Sequence, residues 1–178
     1  MSYNMKSLFA EKVKAFHLPR YSELPDMGFY LEQVVKFINS CLVPLGCTEL
    51  TTSMVSNYVK KGVIAPPVRK LYYHEQIGYL IFISVAKNAM SIESIAQMFQ
   101  MQKNAYDSAT AYDYFCSELE NMLRYICGLK DQVDNIGVTN TEVKTMFRSV
   151  IIAASHIIFL NNCFDVKKST DEDDKPLT

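Results

Sequence analysis

The sequence predicts an all-α fold, and three observations lead to that fold class. Apolar residues recur at intervals of three and four along most of the chain, which is the spacing of one face of a helix. Capping residues and glycines bracket these stretches where helices would begin and end. No stretch alternates apolar and polar residues for the length of a strand, and no internal repeat is visible.

The predicted helices follow one another along nearly the whole chain. Their approximate limits are 4–16, 27–43, 51–61, 75–88, 92–99, 107–127 and 139–162. Residue types that favour helix ends stand at Asp26, Thr51 or Thr52, Gly62, Ser91, Gly128 and the T-x-x-E capping box of Thr139 to Glu142. Two proline-containing stretches, 17–25 and 66–72, predict extended connections because proline disfavours helix in the residue before it.

The length and composition indicate a folded protein without a strong overall charge. The 178 residues can bury a core, and 49% of them are hydrophobic, which excludes full disorder. Basic and acidic side chains number 18 and 19, so no global positive field draws the molecule to nucleic acid. No signal peptide and no uninterrupted apolar stretch of membrane-spanning length is visible, so we expect a cytoplasmic protein without membrane association.

The reactive residue types form no pattern of a metal or catalytic site. The five cysteines are odd in number and include no C-x-x-C pair, so we interpret them as free thiols used as small apolar residues. The histidines, His17, His74 and His156, lie in different segments without metal-ligand spacing. No nucleophile or phosphate-binding motif is visible. We therefore expect no enzymatic activity, no metal and no cofactor.

The short helix predicted to begin near Thr51 has a polar face. At about 100° per residue, apolar side chains collect on one side of it and small polar or basic ones on the other. The polar side holds Ser53, Ser56, Asn57 and Lys60. Asn suits an adenine edge, Lys suits guanine or phosphate, and Ser suits either a base or a phosphate. A solvated helix face has the same composition, so both interpretations stay open on this pattern alone.

Positive charge is concentrated in and after this helix. Between Thr51 and Glu75 there are four basic residues against one acidic residue, a local formal charge of +3. Tyrosine hydroxyls nearby often bind phosphate oxygens, although the same rings could belong to the core. The DNA-binding patch predicted from these observations consists of Ser53, Ser56, Asn57, Tyr58, Lys60, Lys61, Arg69, Lys70 and Tyr72.

Short motifs in and around this patch carry a family resemblance. They are the run VSNYVKKGVIAPP from Val55 to Pro67, then Arg69, the Tyr72-Tyr73 pair and the MSIESI step from Met90 to Ile95. This segment resembles the winged helix-turn-helix of the MerR group of transcription regulators. With the run LPRYSELPDMG from Leu18 to Gly28 ahead of it, the whole chain resembles the YkrK-like bacterial proteins of unknown function.

The resemblance implies a recognition helix over 53–61, a wing over 66–72 and an oligomeric regulator whose partner is double-stranded DNA. MerR proteins usually carry Arg-Tyr-Tyr in the recognition helix, where this chain has Ser56-Asn57-Tyr58, and Lys60 takes the position of a usual basic residue. The expected organisation is an N-terminal helix and extended connector over 1–25, a MerR-like winged helix-turn-helix over 26–104, a C-terminal helical hairpin for oligomerisation or effector binding over 105–165, and a disordered tail over 166–178.

The C-terminal helices favour self-association and leave an effector site open. Residues 150–160 are apolar nearly all round, so we expect them to be buried on several sides, within the subunit or in a homodimer. The Met and aromatic residues of 98–127 either line a pocket for a small-molecule effector or form plain core. We interpret His156 as a hydrogen-bonded core imidazole, with a pH or ligand sensor as the alternative.

Two functions follow from the sequence. The first is a sequence-specific DNA-binding transcriptional regulator that reads a palindromic site as a dimer. The second is a protein-protein interaction module that uses the same helix-turn-helix scaffold without binding DNA, which the near-neutral net charge of −1 favours.

Overall fold

Seven α-helices are present in residues 5–137 and 139–173, the part of the chain that the computed structural model describes. They are α1 (Met5–Ala15), α2 (Leu31–Leu42), α3 (Thr52–Lys60), α4 (His74–Ala86), α5 (Ile92–Ala105), α6 (Ser108–Ile126) and α7 (Glu142–Asp173). Short 3-10 turns over Tyr21–Glu23 and Val43–Leu45 flank α2. The described residues form no strand, only two isolated antiparallel bridges, so the predicted all-α class is confirmed.

Helix α4 lies at the centre of the fold. Ten of its 13 residues are buried, and a helix that is apolar all round must be covered on every side. Helices α2, α5, α6 and α7 provide that cover. At Gly78 the approach of α6 is so close that an added Cβ would lie 3.1 Å from the Tyr112 ring. The buried Ser84 hydroxyl donates to the Leu80 carbonyl at 2.8 Å, so this polar group is satisfied inside the core.

Helices α6 and α7 run in the same direction, and the linker between them returns along α6. Three contacts join the α6 region to the start of α7: Tyr106 with Thr141, Tyr114 with Lys144, and Glu118 with Arg148. The residue numbers increase in the same order on both sides, as they do between parallel helices. The linker is held to α6 where Asn121 bonds both the N–H and the C=O of Asp134. The arrangement therefore differs from the predicted helical hairpin, because a linker long enough to turn back lets α7 start beside the first turn of α6.

The extended connector after α1 is joined to α6 by a partly buried ion pair. Arg20 Nη1 and Nη2 donate to the two carboxylate oxygens of Glu120 at 2.8 and 3.0 Å, and the Leu18 N–H donates to Oε1 at 3.0 Å. Burial opposes ionisation of Glu120, but these hydrogen bonds outweigh it and hold the carboxyl pKa below its ordinary value. The connector is thus part of the folded unit.

The start of α2 differs from the prediction. The helix begins at Leu31 rather than Met27, because Phe29 is extended and exchanges two backbone hydrogen bonds of 2.9 Å with Tyr72. Asp26 is not the cap; its carboxylate lies 3.4 Å from His74 Nε2 at the start of α4. The first turn of α2 is instead closed by Gln33, whose side chain accepts from the N–H of residue 30 at 2.9 Å.

Both ends of α7 lie further along the chain than expected. Thr141, not Thr139, caps the helix, since its hydroxyl accepts from the Lys144 N–H at 3.2 Å. The helix continues to Asp173, into the segment 166–178 for which the sequence predicts a tail, and residues 174–178 lie outside the described ranges. One hydrophobic cluster extends from Phe9 in α1 to Ile158 in α7, so the predicted segments share a core.

Candidate nucleic-acid interface

Helix α3 has the two faces that its sequence predicts. The Thr51 hydroxyl accepts from the Met54 N–H at 3.2 Å and caps the helix. Val55 and Tyr58 are buried on the core side. The opposite side is exposed to solvent and consists of Ser53, Ser56, Asn57 and Lys60, with Lys61 following at the C-cap. The helix therefore offers small hydrogen-bonding groups and cations on one open surface.

The end of α3 is a Schellman motif, which sets the direction of the chain after the helix. Gly62 has φ of +69° and donates to the Val59 carbonyl at 3.0 Å, and Val63 donates to the Tyr58 carbonyl at 2.9 Å. Glycine takes this left-handed conformation without the steric cost of a Cβ. The predicted stop at Gly62 is confirmed, and Val63 and Ile64 return to the core immediately after it.

The segment 66–72, for which the sequence predicts a wing, ends in a two-residue turn formed by Arg69 and Lys70. Val68 and Leu71 exchange two backbone hydrogen bonds of 2.9 Å across the turn. The two central residues have φ of 51° and 68°, as a type I′ turn requires, and they are the non-glycine residues with positive φ in the described chain. Sequences such as Asn-Gly normally occupy such a turn because other side chains are strained there. Two adjacent exposed cations are thus held in an unfavourable conformation.

The base of the wing is held by Gln76, a residue that the sequence analysis did not single out. This buried side chain accepts from the Tyr73 N–H at 2.9 Å and donates to the carbonyls of Ala65 and Pro66 at 3.1 and 2.8 Å. It therefore joins both arms of the wing to the first turn of α4. A Gln three residues after the residue preceding a helix is the capping-box spacing, and this signal could have identified it.

A second residue without a sequence-based prediction, Asn39, fixes the connection between α2 and α3. Its side chain donates to the Leu50 carbonyl at 2.9 Å and accepts from the Leu50 N–H at 2.8 Å. Gly46 begins the reversal with φ of +88°. The intervening segment, 43–51, is longer than the three or four residues that usually join the helices of a helix-turn-helix. Asn39 therefore gives this long turn a defined path.

Two residues of the predicted patch are not on its surface. Tyr58 and Tyr72 are 5% and 4% exposed, and burial raises the pKa of both hydroxyls above the ordinary value. Tyr58 falls on the apolar side of α3, and Tyr72 is drawn inward by its pairing with Phe29. Both support the surface from beneath, and the other seven predicted residues are exposed.

The cations of the surface differ in how far they are neutralised. Lys61 lies 3.5 Å from Glu93 at the start of α5, in an exposed pair. No described residue forms a hydrogen bond or ion pair with the side chains of Lys60, Arg69 or Lys70. Three cationic groups are therefore available to an anionic partner, one at the end of α3 and two at the tip of the wing.

The remaining reactive side chains are dispersed through the fold. All five cysteines are free, and burial raises the pKa of Cys47 and Cys116 to about 12, which makes their thiols unreactive. His156 is exposed on α7, so the interpretation as a core imidazole was wrong; the helix turns it away from the buried residues Ala154 and Ile158. Within the described ranges, His, Cys, Asp and Glu form no cluster that could hold a metal ion.

Comparison with known proteins places the surface within a defined family. A family model described as a domain of unknown function (DUF1836) matches residues 19–115, more than half of the chain. The match begins in the connector that holds Arg20, covers α2 to α5 with the wing, and ends within α6. No curated protein and no solved structure matches the chain. The chain belongs to the DUF1836 family.

Proposed function

We propose that this protein is a DNA-binding transcriptional regulator of the MerR-like winged helix-turn-helix kind. In this proposal α3 enters the major groove, where Ser53, Ser56 and Asn57 face base edges and Lys60 contacts a base or a phosphate. The turn of Arg69 and Lys70 contacts the flanking backbone.

The observation that carries the proposal is the strained turn at the wing tip. A neutral Asn-Gly pair would close the same hairpin at lower conformational cost, so stability alone does not account for Arg-Lys at these positions. Cations at a hairpin tip can bind phosphate oxygens without reading the base sequence. The unpaired Lys60 at the end of the neighbouring helix supports the same interpretation.

A homodimer is the second part of the proposal, and the outer face of α7 supports it. Exposed or half-buried apolar residues recur there at intervals of four and three: Met146, Val150, Ala153, Ile157, Leu160 and Phe164. Leu160 and Phe164 are 48% and 59% exposed. Alternating intervals of four and three form a coiled-coil seam, so a second copy of α7 is the occupant that fits this face.

The same helix also meets the length and composition of a membrane span. The stretch Glu142–Asp165 has a mean hydropathy of 1.5, and 28% of its apolar window is buried. A core helix of a soluble protein meets these criteria too. Polar residues of α7 bind elsewhere in the fold, since Arg148 pairs with the buried Glu118 and Asn162 donates to the Leu45 carbonyl. These contacts favour a helix packed within the subunit over a membrane span.

The DNA-binding surface can be tested with a fluorescently labelled random duplex in low salt. We expect the wild-type chain to bind, and we expect Lys60→Ala and Arg69→Ala each to weaken binding. Each variant should also lower the steepness of the salt dependence by about 0.9 if its cation neutralises one phosphate. Lys14→Ala, which removes an exposed cation from α1, is the matched control and should bind as the wild type does.

The same measurement distinguishes DNA binding from the alternative function, a protein-protein interaction module. If the wild-type chain and all three variants bind the duplex equally weakly, the DNA-binding proposal fails. The interaction module, which the net charge of −1 favours, then becomes the better interpretation of the same exposed surface.

A further inference from the structure

A cavity lies where the end of α5, the start of α6 and the start of α7 meet. Its volume is about 240 Å³. An apolar cavity of about 150 Å³ is large enough to hold benzene, so this space accommodates a larger aromatic or branched group. The walls are chiefly apolar and aromatic, and they include Tyr106, Ala111, Tyr114, Val143 and Phe147. The cavity lies outside the DNA-binding surface.

One polar group of the cavity, Lys144, has hydrogen-bonding capacity to spare. The Tyr114 ring forms part of the wall, but its hydroxyl is fully buried away from the open space, and burial raises its pKa to about 12. The Lys144 ammonium lies 5.6 Å from the centre of the Tyr114 ring and uses one donor on the Gly137 carbonyl at 3.0 Å. An ammonium has three donors, so others remain for a ligand. A cation with free donors favours an acceptor that carries negative charge.

The other polar groups of the cavity are already engaged. Gln102 accepts from the Tyr79 hydroxyl at 2.9 Å and donates to the Tyr106 carbonyl at 2.6 Å. The Tyr106 hydroxyl lies 2.6 Å from that of Thr141. Thr110 donates its hydroxyl to Asp107 at 2.7 Å. A ligand therefore finds apolar walls and one cation with free donors, Lys144.

We propose that this cavity binds a small aromatic monocarboxylate. The ring system occupies the apolar space beside Ala111 and Phe147, and the carboxylate pairs with the Lys144 ammonium. Burial of an aromatic group supplies the affinity, and the charge-assisted hydrogen bonds supply the preference for an acid. The site does not depend on whether the protein binds DNA.

The test compares 1-naphthylacetate with 1-naphthylacetamide, which differ in the charge of one polar group. Binding of each is measured by isothermal titration calorimetry to the full chain. We expect the wild-type chain to bind the carboxylate at least tenfold more tightly than the amide. Absence of saturable binding of the carboxylate at millimolar concentration would overturn the proposal, and so would equal affinity for the two compounds.

Three variants assign the binding to this cavity. Lys144→Met keeps the apolar stem and should remove the preference for the carboxylate. Ala111→Leu fills the space and should weaken both compounds at least tenfold, with folding checked by circular dichroism. Lys103→Met is the control, because Lys103 also lies over a tyrosine ring, that of Tyr79, but outside the cavity. A preference that survives Lys144→Met, or that disappears in Lys103→Met, contradicts the proposed site.

Discussion

Replacing the wing tip by the pair that its geometry favours should raise stability and lower affinity for DNA. The change is Arg69→Asn together with Lys70→Gly. Both residues have positive φ, 51° and 68°, and Asn and Gly tolerate that region best. The two side chains are exposed, so their removal takes no packing from the core. If Arg69 and Lys70 served stability alone, replacing them would not raise stability while lowering affinity for DNA.

The expected magnitudes follow from the two backbone conformations. A left-handed non-glycine residue costs about 1 kcal/mol or more, so relief at both positions is worth about 2 kcal/mol. The greater freedom of glycine in the unfolded chain offsets about 1 kcal/mol of this. The net gain of about 1 kcal/mol should raise the midpoint of thermal unfolding by about 2–4 °C in a chain of this size. If each cation neutralises one phosphate, removing both should lower the slope of log affinity against log salt by about 1.8.

Thermal unfolding by calorimetry and DNA binding by fluorescence anisotropy at several salt concentrations measure the two effects. The matched control is Arg69→Gln with Lys70→Gln, which removes the charges and keeps the strain. It should bind DNA as weakly as the Asn-Gly variant, with no rise in the unfolding midpoint. A lower unfolding midpoint for the Asn-Gly variant would refute the argument from strain, and unchanged DNA binding would refute the role of the two cations.

Three further changes test other parts of the structure. Gln76→Ala should lower the free energy of unfolding in urea by about 2 kcal/mol, since it leaves buried backbone groups of the wing without partners. A decrease under about 0.5 kcal/mol is typical of a neutral surface substitution and would contradict that role. Glu120 has a lowered pKa, so its stabilisation is full above the unfolded value of 4.5 and disappears as the pH falls through the folded value. In the wild type, the urea concentration at half-unfolding should therefore decrease as the pH is lowered below 4.5. Arg20→Met should make this decrease smaller, and an unchanged decrease would argue against the ion pair. Leu160→Glu with Phe164→Glu should shift sedimentation from dimer to monomer, whereas a wild-type chain already monomeric at high concentration would exclude the dimer.

The helix ends that the sequence located well are those set by local chemistry. Thr51 and Ser91 cap their helices through their own hydroxyls, and Gly62 takes the left-handed conformation that its type favours. The polar face of α3 was also predictable, because helical spacing and burial agree along its length. Each of these features depends on residues within about one turn of the chain.

The features that the sequence did not show depend on distant partners. The late start of α2 results from the pairing of Phe29 with Tyr72, which lies beyond α3. The same pairing buries Tyr72, for which the sequence predicts a surface hydroxyl. The positive φ of Arg69 and Lys70 follows from the tight closure of the wing and runs against the preference of both residue types. The common direction of α6 and α7 follows from where the linker binds Asn121, which spacing along α6 cannot reveal.

The buried contact between Asn162 and the turn after α2 ties the order of folding to the order of synthesis. Asn162 Nδ2 donates to the Leu45 carbonyl across 117 residues of sequence, beside Gly46, where an added Cβ would lie 2.6 Å from the same nitrogen. At about 5–20 residues per second, a ribosome needs about 6–23 s to make the intervening chain. The turn between α2 and α3 is therefore not complete until the last helix has been made. Chains that stop short of α7 should expose an unfinished turn, which makes them substrates for chaperones and proteases.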